Sequence, residues 1–84
     1  MSKLKTFKKK LLYRSNYRGT KEMDLLLSNF VKKYINKFDE EQLKELDKFL
    51  NFEDNVIFNF YYYGQIENNI EKNMISKIFK KYSI

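Results

Sequence analysis

Residues 11–30 read LLYRSNYRGTKEMDLLLSNF. Leu11, Leu12 and Tyr13 end one apolar-periodic run. Met23, Leu26, Leu27, Phe30, Val31, Tyr34, Ile35 and Phe38 form a second at spacings of 3 and 4, the period of an amphipathic helix with one buried stripe. A break must fall between the runs. Gly19 tolerates a positive φ, which predicts that it closes the first helix, and Thr20 can accept a backbone N–H at the start of the second. Glu22 and Asp24 then lie in the first turn, where exposed N–H groups and the helix dipole favour negative charge. Arg18 does not fit that scheme, because a guanidinium beside the positive end of a helix gains nothing from the dipole. It either pairs with a nearby carboxylate or faces a partner.

Outward from this stretch the chain reads as helices. The first is expected from Lys3 to Ser15 or Asn16, with Ser2 as N-cap, Leu4, Phe7, Leu11 and Leu12 on its apolar face, and Lys5, Lys8, Lys9 and Lys10 outside. The second spans about residues 21–35. Asp39 with Gln42 makes a capping box that starts a third, whose Leu43, Leu46, Phe49 and Leu50 face the core. Residues 52–55, FEDN, stop it, because Asp and Asn prefer caps and turns to helix interiors. Asp54 or Asn55 is expected to cap a fourth helix from Val56 to Tyr63, closed by Gly64. Its sequence, VIFNFYYY, resembles a buried strand, but no second strand exists to satisfy its backbone, so a helix is expected. Asn68 with Glu71 predicts the start of a fifth helix, running to about Tyr82 with Ile70, Met74, Ile75, Ile78, Phe79 and Tyr82 on one face. The expectation is an all-α, five-helix bundle forming a single domain over residues 1–84.

The chain has neither Cys nor His, which removes thiolate nucleophiles, thiolate or imidazole metal sites and the imidazole general base together. Nothing clusters the remaining acids and bases with a nucleophile, so no enzyme is expected. At 84 residues the chain should bury only about 60% of its surface. The net charge of +6 is uneven: residues 1–21 hold eight Lys/Arg and no acid, leaving nine basic against eleven acidic residues. Such an arm can meet nucleic acid, an anionic membrane or an acidic protein face, or simply solvate a helix. No apolar run approaches the roughly 20 residues that span a bilayer, so no membrane insertion is expected. The Lys-rich start is unlike an Arg- and Ser-rich transit peptide, and its apolar residues are needed by the first helix. A soluble intracellular monomer follows as an expectation, in a bacterial cytoplasm rather than the mitochondrial matrix.

The run Tyr13, Ser15, Arg18-Gly19-x-x-Glu22, Asp24, Leu26-Leu27 and Phe30 resembles the core motif of the succinate dehydrogenase assembly factor 2 family, the SdhE-type flavinylation factors. A second block is similar to that family's acidic turn and aromatic helix: Phe49-Leu50, Glu53-Asp54-Asn55, Ile57-Phe58-Asn59-Phe60 and Gly64. Together the blocks extend the likeness over roughly residues 4–80. Asn16 and Thr20 stand where the family commonly has Arg and Met, Asn55 where it often has Pro, and Phe60 where Trp is usual. The resemblance implies a small helical bundle that binds the flavoprotein subunit of succinate dehydrogenase, with fumarate reductase as a further candidate, and promotes covalent attachment of FAD to a histidine of that subunit. It implies no firmly bound cofactor here, and partner contacts from Arg18, Gly19 and Glu22, with Tyr17, Asp24 and Asp54 beside them. The competing reading is a small basic nucleic-acid-binding or antitoxin-like regulatory protein. The aromatic cluster Phe58, Phe60, Tyr61, Tyr62 and Tyr63 could stack on bases or on a flavin, but no recognisable nucleic-acid module and no glycine-rich phosphate loop accompanies it.

Overall fold

A computed structural model describes residues 3–16 and 18–82; the expected N-cap Ser2 and the candidate contact residue Tyr17 lie outside the described residues. These hold α1 (Lys3–Ser15), α2 (Lys21–Tyr34), α3 (Glu40–Phe49), α4 (Asp54–Tyr63), a single 3-10 turn (Ile70–Lys72) and α5 (Met74–Lys81), with no strand among them. The all-α, five-helix expectation is met.

α1 packs on α2 and α3, while α5 packs on α3 and α4. The α2 stripe expected from periodicity is the centre of the core: Leu26, Leu27, Phe30 and Val31 are fully buried. Phe79 of α5 joins the other elements, its ring centroid lying 4.9 Å from Phe30 of α2, 5.2 Å from Phe49 of α3 and 4.8 Å from Tyr61 of α4. Edge-to-face and tilted pairs of this kind add about 0.5–1.5 kcal/mol each beyond the area they bury.

Two boundaries form as the sequence predicts. The capping box of α3 is complete, with Gln42 N donating to Asp39 Oδ1 at 2.8 Å and Asp39 N to Gln42 Oε1 at 2.9 Å. Gly64, at φ 69°, ends α4 in the left-handed region, and its N–H donates to Phe60 O at 3.1 Å. The ammonium of Lys80 closes the same end, donating to Phe60 O at 2.8 Å and Tyr61 O at 3.1 Å, where a cation also complements the dipole.

α1 ends at Ser15, within the expected range, but its closing residue differs, as do the starts of α4 and α5. α1 is not closed by Gly19; Ser15 Oγ and Asn16 Nδ2 both donate to Leu12 O, at 2.7 and 2.9 Å, and end it before the glycine. α4 starts two residues early, at Asp54 instead of Val56: Glu53 is its N-cap without a side-chain bond, and Asp54 is already helical with its carboxylate turned elsewhere. α5 starts five residues late. Asn68 and Asn69 adopt positive φ, 54° and 60°, which Asn tolerates better than most residues. Asn73 is the true cap, accepting from Ile75 N at 2.8 Å and Ser76 N at 3.3 Å. The shift moves Met74 off the core face to an exposed position, while Ile75 and Phe79 stay buried.

Candidate functional site

The loop from Arg18 to Thr20 is fixed by three clips, all made by residues of the sequence motif. The backbone N–H of Arg18 donates to Asp24 Oδ1, folding the loop back onto the first turn of α2. The Gly19 N–H donates to Asp54 Oδ2 at 2.6 Å, and Arg18 Nε donates to Asp54 Oδ1 at 2.7 Å. One carboxylate at the start of α4 therefore holds two consecutive residues of a loop more than thirty positions away. Thr20 then caps α2 by accepting from Met23 N at 3.2 Å.

Arg18 resolves the alternative that its sequence position posed: it pairs with a carboxylate within the chain. Its remaining donors reach the carbonyls of Leu50 and Phe52 at 3.2 Å each, at the end of α3, and Arg14 O at 3.4 Å. Those carbonyls lie at or beyond the negative end of a helix, where a guanidinium is favourable. Arg14 makes a parallel link, its guanidinium bonded to Asp47 and Asn51.

The glycine is required for a different reason from the one expected. Gly19 does not have a positive φ; a Cβ placed there would sit 3.0 Å from Asp54 Oδ2. The constraint is a close approach of loop backbone to the Asp54 carboxylate, and no local signal foretells it.

Beside the loop runs an open groove of about 480 Å³ between the starts of α2 and α4, lined by Gly19, Thr20, Glu22, Met23, Asp54, Asn55, Phe58 and Asn59. Glu22 is exposed, Asp54 and Phe58 are half-buried, and Met23 is buried. Tyr62, one turn after Phe58, packs its ring 4.6 Å from that of Phe58. Its phenol pKa is raised above the usual tyrosine value by desolvation, then by the proximity of the Glu22 carboxylate as acceptor and as charge. Leu25, one turn after Glu22 on α2, is 53% exposed, and Tyr62 is 43% exposed. The groove thus has an acidic edge, an apolar floor and apolar surface outside it.

Of the candidate contact residues, Gly19, Glu22 and Asp54 line the groove, while Arg18 and Asp24 hold the loop from behind. Met23, Leu25, Asn55 and Asn59 were not singled out as site residues. Leu25 carried a usable signal, because it is apolar yet lies off the stripe that α2 buries.

A family model described as "flavinator of succinate dehydrogenase" matches residues 9–82, including every residue of the loop and groove. The chain belongs to this flavinator family. The mitochondrial succinate dehydrogenase assembly factor 2 of Aspergillus flavus is 41% identical over 69 residues, covering 82% of this chain and 23% of the relative. That of Scheffersomyces stipitis is 46% identical over 55 residues, covering 66% and 35%. A mitochondrial assembly factor 2-B of Drosophila yakuba is 52% identical over 48 residues, covering 57% and 31%. The chain thus spans about a quarter to a third of the length of these relatives. Their names overturn the expectation of a bacterial cytoplasmic protein, since they point to the mitochondrion. That expectation leaned on Leu4, Phe7 and Leu11 belonging to the first helix, and helix membership fixes no cellular address. Among the described residues no helix is long and apolar enough to cross a membrane.

Proposed function

We propose that this chain binds the flavoprotein subunit of succinate dehydrogenase in the mitochondrion, through the groove beside Gly19 and Glu22, and promotes covalent attachment of FAD to that subunit. The observation that carries the reading is the arrangement of Glu22: an exposed carboxylate beside a loop clipped at Arg18 and Gly19 and next to the exposed apolar surface of Leu25 and Tyr62. A charge held in a fixed place beside apolar area is suited to a specific protein contact, the apolar part supplying affinity and the charge register.

The lining of the groove does not fit FAD itself. A pyrophosphate needs free backbone N–H groups and favours cations, whereas here the Gly19 and Met23 N–H groups are taken by Asp54 and Thr20, and the lining carries Glu22 and Asp54 with no Lys or Arg. FAD is therefore the partner's ligand on this reading, and the residue it attaches to is the partner's. The helper acts by binding one conformation of the flavoprotein more tightly than others, and it shifts that equilibrium only by the difference in affinity.

Binding of the purified chain to the flavoprotein subunit tests this. Glu22→Lys, a change on an exposed side chain, should leave the helical circular dichroism spectrum intact and weaken co-purification of the subunit at least tenfold, as expected for a charge mismatch at an interface. Undiminished co-purification by the folded variant would remove the groove from the mechanism.

A further inference from the structure

Two carboxylates line the groove between the starts of α2 and α4, and the chain neutralises one of them. Asp54 is paired with Arg18 Nε at 2.7 Å. Among the described residues no Lys or Arg comes within ion-pair distance of Glu22. The helix dipole does not need Glu22 either, because the first turn of α2 also carries Asp24 and is capped by Thr20. Glu22 is therefore a surplus negative charge, exposed at the edge of an apolar floor.

The surroundings do not offset that charge. No cation lines the groove, and residues 49–71, which include all of α4, hold no Lys or Arg although the chain has 17. Glu53, exposed before α4, adds a further carboxylate with no ion pair among the described residues. Three cations lie in the wider neighbourhood. Arg18 is turned away, donating to Asp54 and to backbone carbonyls. Lys21 precedes Glu22 directly, and successive residues of a helix do not face each other. Lys80 sits at the opposite end of α4, its ammonium donating to the carbonyls of Phe60 and Tyr61.

The floor narrows the choice of cation. Met23 and the Phe58 ring supply apolar surface, and Asn55 with Asn59 supplies amide oxygens along the α4 side. An arginine matches all of these features: its stem covers apolar surface, its planar head stacks on an aromatic ring, and its five N–H donors can reach a carboxylate and an amide together. A lysine ammonium is a more strongly hydrated point charge with no planar face. We infer that the groove receives an arginine side chain of the flavoprotein subunit, with its stem on Met23 and its guanidinium between the Glu22 carboxylate and the Phe58 ring. The identity of the partner rests on the function proposed above; the inference adds which of its side chains the groove holds.

The test treats the purified flavoprotein subunit with phenylglyoxal, which modifies arginine, alone and in complex with the full chain, and maps the modified peptides by mass spectrometry. An arginine of the subunit should be shielded in the complex. Changing that arginine to Glu should weaken binding roughly tenfold or more, and combining it with Glu22→Arg in this chain should restore binding. Phe58→Tyr keeps the ring and should bind as wild type, whereas Phe58→Leu should bind about threefold or more weakly. A complex that requires Glu22 yet shields no arginine, or a charge exchange that restores nothing, would overturn this inference and leave the function standing. So would self-association of the chain alone that Glu22→Lys abolishes, which would assign the groove to a second copy. Absence of any complex with the wild-type chain would overturn both.

Discussion

Replacing Asp54 with Ala removes the acceptor of Arg18 Nε and of the Gly19 N–H together. The side chains of Arg18 and Asp54 are 13% and 26% exposed, so the guanidinium would be left largely desolvated, facing only the carbonyls of Arg14, Leu50 and Phe52. Stranding one partner of a fully buried ion pair costs about 3–5 kcal/mol, and the residual solvent access here lowers that to about 2–3 kcal/mol. Domains of this size have about 4–12 kcal/mol of stability, so the variant should still fold. Each kcal/mol moves the thermal midpoint by about 4–8 °C, which puts the expected fall at roughly 8–24 °C. Urea denaturation of Arg18→Ala, Asp54→Ala and the double variant gives the coupling directly, expected at about 1–2 kcal/mol because the residues touch. A change within about 0.5 kcal/mol for Asp54→Ala, or additivity of the two single variants, would refute the brace and return Arg18 to the surface.

Gly19→Ala would place a Cβ 3.0 Å from Asp54 Oδ2, so the Gly19–Asp54 bond should lengthen, with about 0.5–1.5 kcal/mol lost, the net worth of one hydrogen bond; urea midpoints check the loss and amide exchange at Gly19 checks the bond. Asn73→Ala removes a cap that accepts two N–H groups and donates to Glu45 O at 3.0 Å, and should cost about 1–2 kcal/mol by chemical denaturation. The phenols of Tyr62 and Tyr82 have pKa values raised by burial first, then by Glu22 for Tyr62 and by Tyr61 and Tyr34 for Tyr82. Each favours the protonated folded form, so their contribution is intact below the unfolded value of about 10 and is lost as pH rises through the folded values. Ultraviolet titration should show phenolate forming late, and earlier at Tyr62 in Glu22→Gln.

What could be read from the sequence was local. The 3-and-4 spacing from Met23 to Phe38, the Asp39–Gln42 pair and Gly64 each act within a few residues, and each formed its element where expected. The long-range parts were hidden. Asp54 looked like a helix cap because nothing in its surroundings signals Arg18, 36 residues away; tertiary pairing diverted it. Gly19 was assigned to a dihedral when its constraint is a contact. Asn68, Asn69 and Asn73 are all plausible caps by residue type, and the choice fell to Asn73 because its side chain also reaches α3 at Glu45. The motif residues converge on one loop and the groove beside it, but only the fold separates Arg18 and Asp24, which build the loop, from Glu22, which stands exposed next to it.

The most direct measurement is in-gel flavin fluorescence of the succinate dehydrogenase flavoprotein subunit after denaturing electrophoresis, co-expressed with the wild-type chain, with Glu22→Lys, or alone. The expected result is a bright covalent flavin band with wild type and a sharp loss with Glu22→Lys, to the level of the subunit alone, while circular dichroism shows the variant as helical as its parent. Equal bands in all three lanes, or a loss that appears only because the variant unfolds, would contradict the assignment of flavin attachment to this groove.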